Sequence, residues 1–347
     1  NWQFKPSPQW RAVISDRLDD IHPVDAGSRS TLNSLREAFV GWQAENGRQA
    51  VDLGRLNLRY GPAYGFNPTD YFRDGATRAV TSADPLAQRE NRLGTAMLRL
   101  QTLWDGGSAS VVLAPKLRDG PSDRSFSLDL GATNHSDRAL LAVSSRAGDS
   151  VSVQGFVFHE RGKGLQLGAN ATALLSDSTV GFLEWSGGKD TNLLSETLDP
   201  VARVERRNRA ALGLTYTTPS RLAVTAELEY NGFALDKSQW QQAVASYGID
   251  PLGAYLVQVQ RRQDIASRRA VLVYLSQRDA FIKNLEVTGL VRYNAEDHSR
   301  FAWAEARYHW PRVDVALQWQ ANLGRSNSEY GAVPGKRLVQ VLAAFYY

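Results

Sequence analysis

The chain has 347 residues, 43% of them hydrophobic and 22% charged, with a mean hydropathy of −0.37 and a formal net charge of +4. Cysteine is absent, which excludes disulfide frameworks, cysteine zinc sites and thiol nucleophiles. No apolar stretch reaches the ~18 residues of a transmembrane helix, and no basic leader with an apolar core opens the chain, so a signal peptide is read as already removed.

In chain order, the dominant signal is alternation with a period of two. It is plain in Leu165, Leu167, Ala169, Ala171 and Ala173, set against Gln166, Gly168, Asn170 and Thr172. It returns in Leu222, Val224, Ala226, Leu228 and Tyr230 against Glu227 and Glu229, and in Val313, Val315, Leu317 and Trp319 against Asp314, Gln318 and Gln320. Such runs make strands with one apolar and one polar face. The pattern predicts strands over 9–17, 33–43, 49–60, 92–104, 108–117, 138–146, 150–160, 164–175, 178–186, 207–217, 221–231, 267–277, 284–294, 300–309, 312–323 and 336–347, about 16 in all. Of the 13 prolines, only Pro115 falls inside one of these spans, as strand pairing requires. The segment 124–133 also alternates, through Phe126, Leu128 and Leu130, but is read as part of a loop because counting it would put later long loops on the short-turn side.

Short turns at 105–107, 176–178, 218–220 and 311–312 alternate with long connections at 61–91, 118–137, 187–206, 232–266 and 324–335. Short turns at one rim and long loops at the other are expected of a transmembrane β-barrel, whose lipid-facing surface is carried by every second residue and leaves the average hydropathy low. The fold class read from this is all-β, an antiparallel transmembrane barrel over 1–347 with both termini on the periplasmic side. Trp10, Trp42, Tyr60, Trp104, Trp185, Tyr216, Tyr230, Tyr308 and Trp310 lie near strand ends and suit the membrane–water interface. The last strand ends on Phe345, Tyr346 and Tyr347, similar to the terminal strand of bacterial outer-membrane barrels.

The stretch Leu35 to Trp42, then a turn, then Val51-Asp52-Leu53-Gly54-Arg55, resembles an early hairpin of many Gram-negative porins. Leu58-Arg59-Tyr60-Gly61 followed by Gly65-Phe66-Asn67-Pro68-Thr69-Asp70 is similar to a pattern in outer-membrane barrels of the alginate-export and phosphate-porin types. The resemblance implies a Gram-negative outer-membrane channel. Its surroundings would be membrane lipid and lipopolysaccharide, and periplasmic export or assembly proteins would be its partners.

A barrel of about 16 strands leaves an aqueous lumen unless something plugs it, so chemistry is sought on the polar face. The inward residues expected are Arg11, Arg17, Arg55, Arg59, Arg99 and Lys116 early in the chain, and Glu227, Glu229, Arg269, Arg292, Glu305, Arg307 and Asp314 later. The early set is almost wholly cationic, and arginine forks suit an anionic solute or polysaccharide; pairing with opposing carboxylates is the plainer reading. Val51 and Leu53 share parity with Arg55, so an inward Arg55 calls for a bulge. The segment 61–91, with Tyr64, Phe66, Asp70, Tyr71 and Arg73, fits either a constriction folded into the lumen or a cap above it. The segment 232–266, where Trp240, Val244 and Tyr247 follow Ser238 at helical spacing, is expected to hold a short helix in or over the pore.

The histidines at 22, 135, 159, 298 and 309 have no metal-ligand spacing, and no cofactor or metal is expected. Gly162-Lys163-Gly164 lies between strands, as a hairpin turn rather than a phosphate loop. Basic residues alternate with apolar ones in strands, so no nucleic-acid partner is expected. The function read from the sequence is passive passage, by uptake or export, rather than catalysis. The alternatives are a non-conducting scaffold or adhesin acting through its long loops, and a barrel hydrolase using His159 or His309.

Overall fold

The computed structural model describes residues 2–22, 31–120, 124–199 and 201–346. Tyr347, the last of the three terminal aromatics, lies outside them. The strands are β1 (Trp2–Phe4), β2 (Trp10–Asp20), β3 (Thr31–Gln43), β4 (Gln49–Leu56), β5 (Thr95–Trp104), β6 (Gly107–Ala114), β7 (Arg138–Ala147), β8 (Val151–Glu160) and β9 (Gly164–Ser176). They continue with β10 (Thr179–Thr191), β11 (Val204–Thr217), β12 (Leu222–Asn231), β13 (Arg269–Gln277), β14 (Leu285–Asn294), β15 (Arg300–His309), β16 (Val313–Leu323) and β17 (Arg337–Phe345). Each pairs antiparallel with its successor.

Strands β2 to β17 correspond to the sixteen expected spans. The seventeenth, β1, is three residues on the edge of β2, with Trp2 opposite Ile14, too short for alternation to reveal. The segment 124–133 forms turns rather than a strand. Two of its carbonyls, those of Leu128 and Asp129, accept from Arg55 rather than from a neighbouring strand.

The registers sort the side chains onto two faces. Leu53, Leu100, Val111, Leu141, Leu167, Leu183, Leu212, Leu228, Val291, Leu317 and Val339 are exposed on one. On the other, Val112, Leu140, Phe156, Phe158, Phe182, Leu272 and Trp303 are buried. A belt of exposed aliphatic residues around the outside requires lipid rather than water. Aromatic residues mark its short-turn rim: Trp10 is opposite Trp42, Trp104 and Tyr216 are exposed, and the Tyr308 and Trp310 rings are 4.4 Å apart. Tyr60 departs from the expected girdle; it lies inside, 5.1 Å from the Phe156 ring.

The enclosed face is packed by one connection. After Leu56 the chain turns inward, and residues 57–94 carry α1 (Pro85–Asn91). This loop reaches β10 through Glu184, β12 through Glu227 and β14 through Arg292. Thr81 accepts from Arg17 of β2 through its hydroxyl oxygen (2.7 Å) and from Gln340 of β17 through its carbonyl (3.1 Å). One loop touching so many strands from inside requires the sheet to curl around it, and Thr81 bridges the first and last spanning strands.

Two other long connections carry helices. Residues 192–203 hold α2 (Leu193–Leu198), and 232–268 hold α3 (Lys237–Tyr247) and α4 (Ile249–Arg261). The cap of α3 is Asp236 rather than Ser238. Its carboxylate accepts from Gln239 N, and the Asp236 N–H donates in turn to Gln239 Oε1. Trp240, Leu252, Tyr255 and Val259 form a core with Leu193 and Phe233, while Tyr247 is exposed.

Candidate functional site

The infolded loop is held by two buried carboxylates. Glu184 follows Leu183 and precedes Trp185, both exposed to the outside, so its own side chain points inward. Its Oε1 accepts from Ala63 N (2.7 Å) and Asn67 Nδ2 (3.0 Å), and its Oε2 accepts from the Thr69 hydroxyl (3.0 Å). Glu227 reads the next stretch: Oε2 accepts from Tyr64 N (2.7 Å) and Oε1 from Phe66 N (3.0 Å), with Gly65 N near both. Backbone amides that packing takes away from water are thus paired with carboxylate oxygens.

Close approach explains two glycines. A Cβ on Gly61, which sits at φ +92, would collide with the Glu184 carboxylate, and one on Gly65 would strike Glu229. Arg292 completes the clasp, donating to Gly65 O (2.8 Å) and Glu229 (3.0 Å). Tyr71 stacks on Phe158 at 4.5 Å, and Tyr64 lies 5.3 Å from Tyr274. Asp70 takes both ends of the Arg92 fork at 2.9 Å. Arg73 bonds Asp264 (2.8 Å) and the Asn67 carbonyl. All five loop residues expected at a constriction therefore lie inside the barrel.

A second anchor, not anticipated from the sequence, sits at the long-loop rim. Asp190 receives Arg209 (2.7 Å) and Arg262 (2.8 Å), with Lys163 at 3.4 Å. Arg262 also reaches Glu196 (2.6 Å). Asp74, from the infolded loop, faces Lys163, Arg262 and His135. Burial pushes the Asp74 carboxyl up, but the charges of Arg262, Lys163 and His135 outweigh it and hold the group at about 2. Five connections meet here, each contributing charges that sequence spacing does not relate.

The wall residues sort differently from the expected set. Arg11, Arg17, Arg99, Glu227, Glu229, Arg292, Glu305, Arg307 and Asp314 are on the inner face. Arg59 is exposed at the start of the loop. Arg55 is not inward: the β4 registers run without a bulge, keeping it on the face of Val51 and Leu53. It is buried there under residues 124–133, donating to Gly94 O (2.9 Å), Leu128 O (3.1 Å) and Asp129 O (2.7 Å). Lys116 lies past the end of β6, paired with Asp119 (2.5 Å). Arg269 faces outward beside Tyr230 and pairs with Glu296 (2.8 Å).

The inner cations have partners. Asp52 sits between Arg11 (3.0 Å) and Arg99 (3.6 Å), and Asp19 pairs with Arg17 (2.7 Å). The pairs share one orientation. The Arg11 side chain is 46% exposed and Asp52 3%; Arg17 is 23% exposed and Asp19 7%. Arg99 with Asp52 and Arg307 with Glu305 repeat the order. The guanidinium is presented to the lumen and the carboxylate lies beneath it. The β14–β16 wall also carries Glu286 and Asp314, both against His309 (3.2 and 3.0 Å).

No family model matches the chain, and no curated protein matches it. Solved structures do. OccK11 (OpdR) of Pseudomonas aeruginosa superposes with a TM-score of 0.55 at 10% identity, over 98% of this chain and 86% of that one. A variant of the Rhodopseudomonas blastica porin superposes at 0.50 and 12% identity, over 95% and 98%. The chain has the porin barrel fold. Within it, His159 lies on the outer face, opposite Ala139 and Leu165. His309 meets carboxylates through both ring nitrogens. These placements do not assemble the nucleophile, base and acid of a hydrolase.

Proposed function

We propose that the whole chain forms one outer-membrane channel that passes small anionic solutes by diffusion. The lipid-facing belt and the short-turn and long-loop rims suit a bacterial outer membrane. Loop 57–94 sets the bore. Arg11, Arg17, Arg99 and Arg307 attract the solute.

The observation that carries this reading is the layering of the ion pairs. At Arg11, a buried carboxylate under an exposed guanidinium fixes the arginine without covering its outer donors. A passing carboxylate or phosphate then meets a fork of N–H groups at fixed geometry. The triple Arg11–Asp52–Arg99 retains one net positive charge.

Proteoliposome swelling tests the proposal. A monosaccharide acid should enter faster than a neutral sugar of equal size, and a polyuronate should be excluded by the infolded loop. Faster entry of the neutral sugar would remove the anion preference. Passage of the polymer would restore polysaccharide export as the function. Silence with every solute would favour a scaffold acting through its loops.

A further inference from the structure

The outer wall carries a hollow that the solute path does not use. It has a volume of about 580 Å³ and spans β4 to β8. Its floor is Gly54, Ala96 and Ala139, and Leu53, Leu98 and Leu113 stand around it. Leu53 lies opposite Leu98, and Leu98 opposite Leu113, so these residues share the lipid-facing side. A Cβ on Gly54, at φ +135, would meet the backbone of Ala38 and Phe39 in the neighbouring strand, so Gly54 lends the hollow only its backbone. The next residue, Arg55, holds 124–133 against the wall above, leaving Phe126, Leu128 and Leu130 exposed.

The long-loop end of the hollow is polar. His159 and Asp137 line it. Asp137 accepts from Lys116 N (2.7 Å) and pairs with Arg161 (3.1 Å). The side chains of Lys116, Arg118 and Arg161 are 50%, 53% and 80% exposed. Against them stand Asp119, paired with Lys116, and Asp137. Asp129 is buried and shared by Arg118 and Arg78. The rim thus offers more exposed cations than exposed carboxylates at the membrane surface.

An apolar recess beneath a basic rim matches a lipid that joins acyl chains to a phosphorylated headgroup. We infer that the hollow seats one acyl chain of a phosphorylated saccharolipid, the lipid A part of lipopolysaccharide. A phosphate of that lipid lies against Lys116, Arg118 and Arg161. This rests on the outer-membrane reading above, but it is tested in detergent without any current.

The purified full chain is mixed with bisphosphorylated lipid A, with its dephosphorylated form, or with phosphatidylethanolamine. Retained lipid is counted by native mass spectrometry. One bisphosphorylated lipid A per chain is expected. Ala139→Trp fills the hollow and should lower its retention. Replacing Lys116 and Arg161 together with Ser should weaken it about thirtyfold and abolish discrimination against the dephosphorylated form. Circular dichroism and heat-dependent gel migration verify that each variant folds. Undiminished retention by Ala139→Trp would overturn the inference, as would equal retention of phosphatidylethanolamine by the wild type. If Ala139→Trp instead splits an oligomer and leaves lipid retention unchanged, the hollow is a contact between copies. Conductance should be unaffected in all these variants, and a chain that binds lipid A but never conducts would strike the channel reading alone.

Discussion

Glu227→Gln is the sharpest perturbation of the infolded loop. In the wild type the two carboxylate oxygens serve three consecutive amides, Tyr64 N at 2.7 Å, Gly65 N at 3.2 and 3.3 Å, and Phe66 N at 3.0 Å. A glutamine keeps one acceptor oxygen and turns the other into a donor. Whichever way its amide is placed, either Tyr64 N or Phe66 N then faces an NH2 group. A buried donor left without a partner costs about 1–3 kcal/mol, and the surviving bonds lose their charge assistance, about 1 kcal/mol more. The sum of about 2–4 kcal/mol corresponds to a shift of roughly 30-fold to 1000-fold in the docking equilibrium. Glu184, bound to Ala63, Asn67 and Thr69, still holds the neighbouring stretch, so the loop should fluctuate rather than leave. Single-channel recording should show added current noise and brief openings of higher conductance. A folded Glu227→Gln barrel with wild-type conductance and noise would refute the idea that this carboxylate fixes the bore.

Three further outcomes follow from the same geometry. Arg11→Glu changes an exposed lumen charge by two units, and at about 4 Å in water each unit is worth ~1 kcal/mol, together about thirtyfold in local ion preference; the reversal potential in a salt gradient should move towards cations, and no movement would take Arg11 out of the path. Asp84, the cap of α1, has its carboxyl raised to about 6, chiefly by burial and also by Glu305. Because the folded value lies above the ordinary one, its stabilisation of the loop is complete below about 4 and is lost as pH rises through about 6. Current noise should therefore grow from pH 4 to pH 7 in the wild type, and Asp84→Asn should flatten that profile; a profile unchanged in the variant would assign the titration elsewhere. Arg55→Leu removes the two bonds by which this residue holds 124–133 to the outer wall, so that segment should become sensitive to protease while the barrel stays intact, and protection equal to wild type would show that other contacts suffice.

The strand pattern was legible because each spanning strand presents one face to lipid, and lipid enforces a period of two. That constraint located β2 to β17 and would also have found Glu184, flanked by the outward Leu183 and Trp185. It failed where lipid no longer dictates the side chain. Arg55 keeps the outward parity of Val51 and Leu53, and its burial under a distant loop leaves no local trace. Lys116 is two residues past the last paired residue of β6, where parity has no meaning. The infolding of 57–94 depends on Glu184, Glu227 and Arg292, more than a hundred residues away in sequence. Its direction was therefore open, although its length and aromatic content were visible.

The central claim is a loop-narrowed, anion-preferring pore. The most direct measurement is the reversal potential of the purified chain in a planar bilayer under a potassium chloride gradient. A discrete conductance with chloride favoured over potassium is the expected result. A pore that prefers potassium, or a folded barrel that carries no current, would contradict the account.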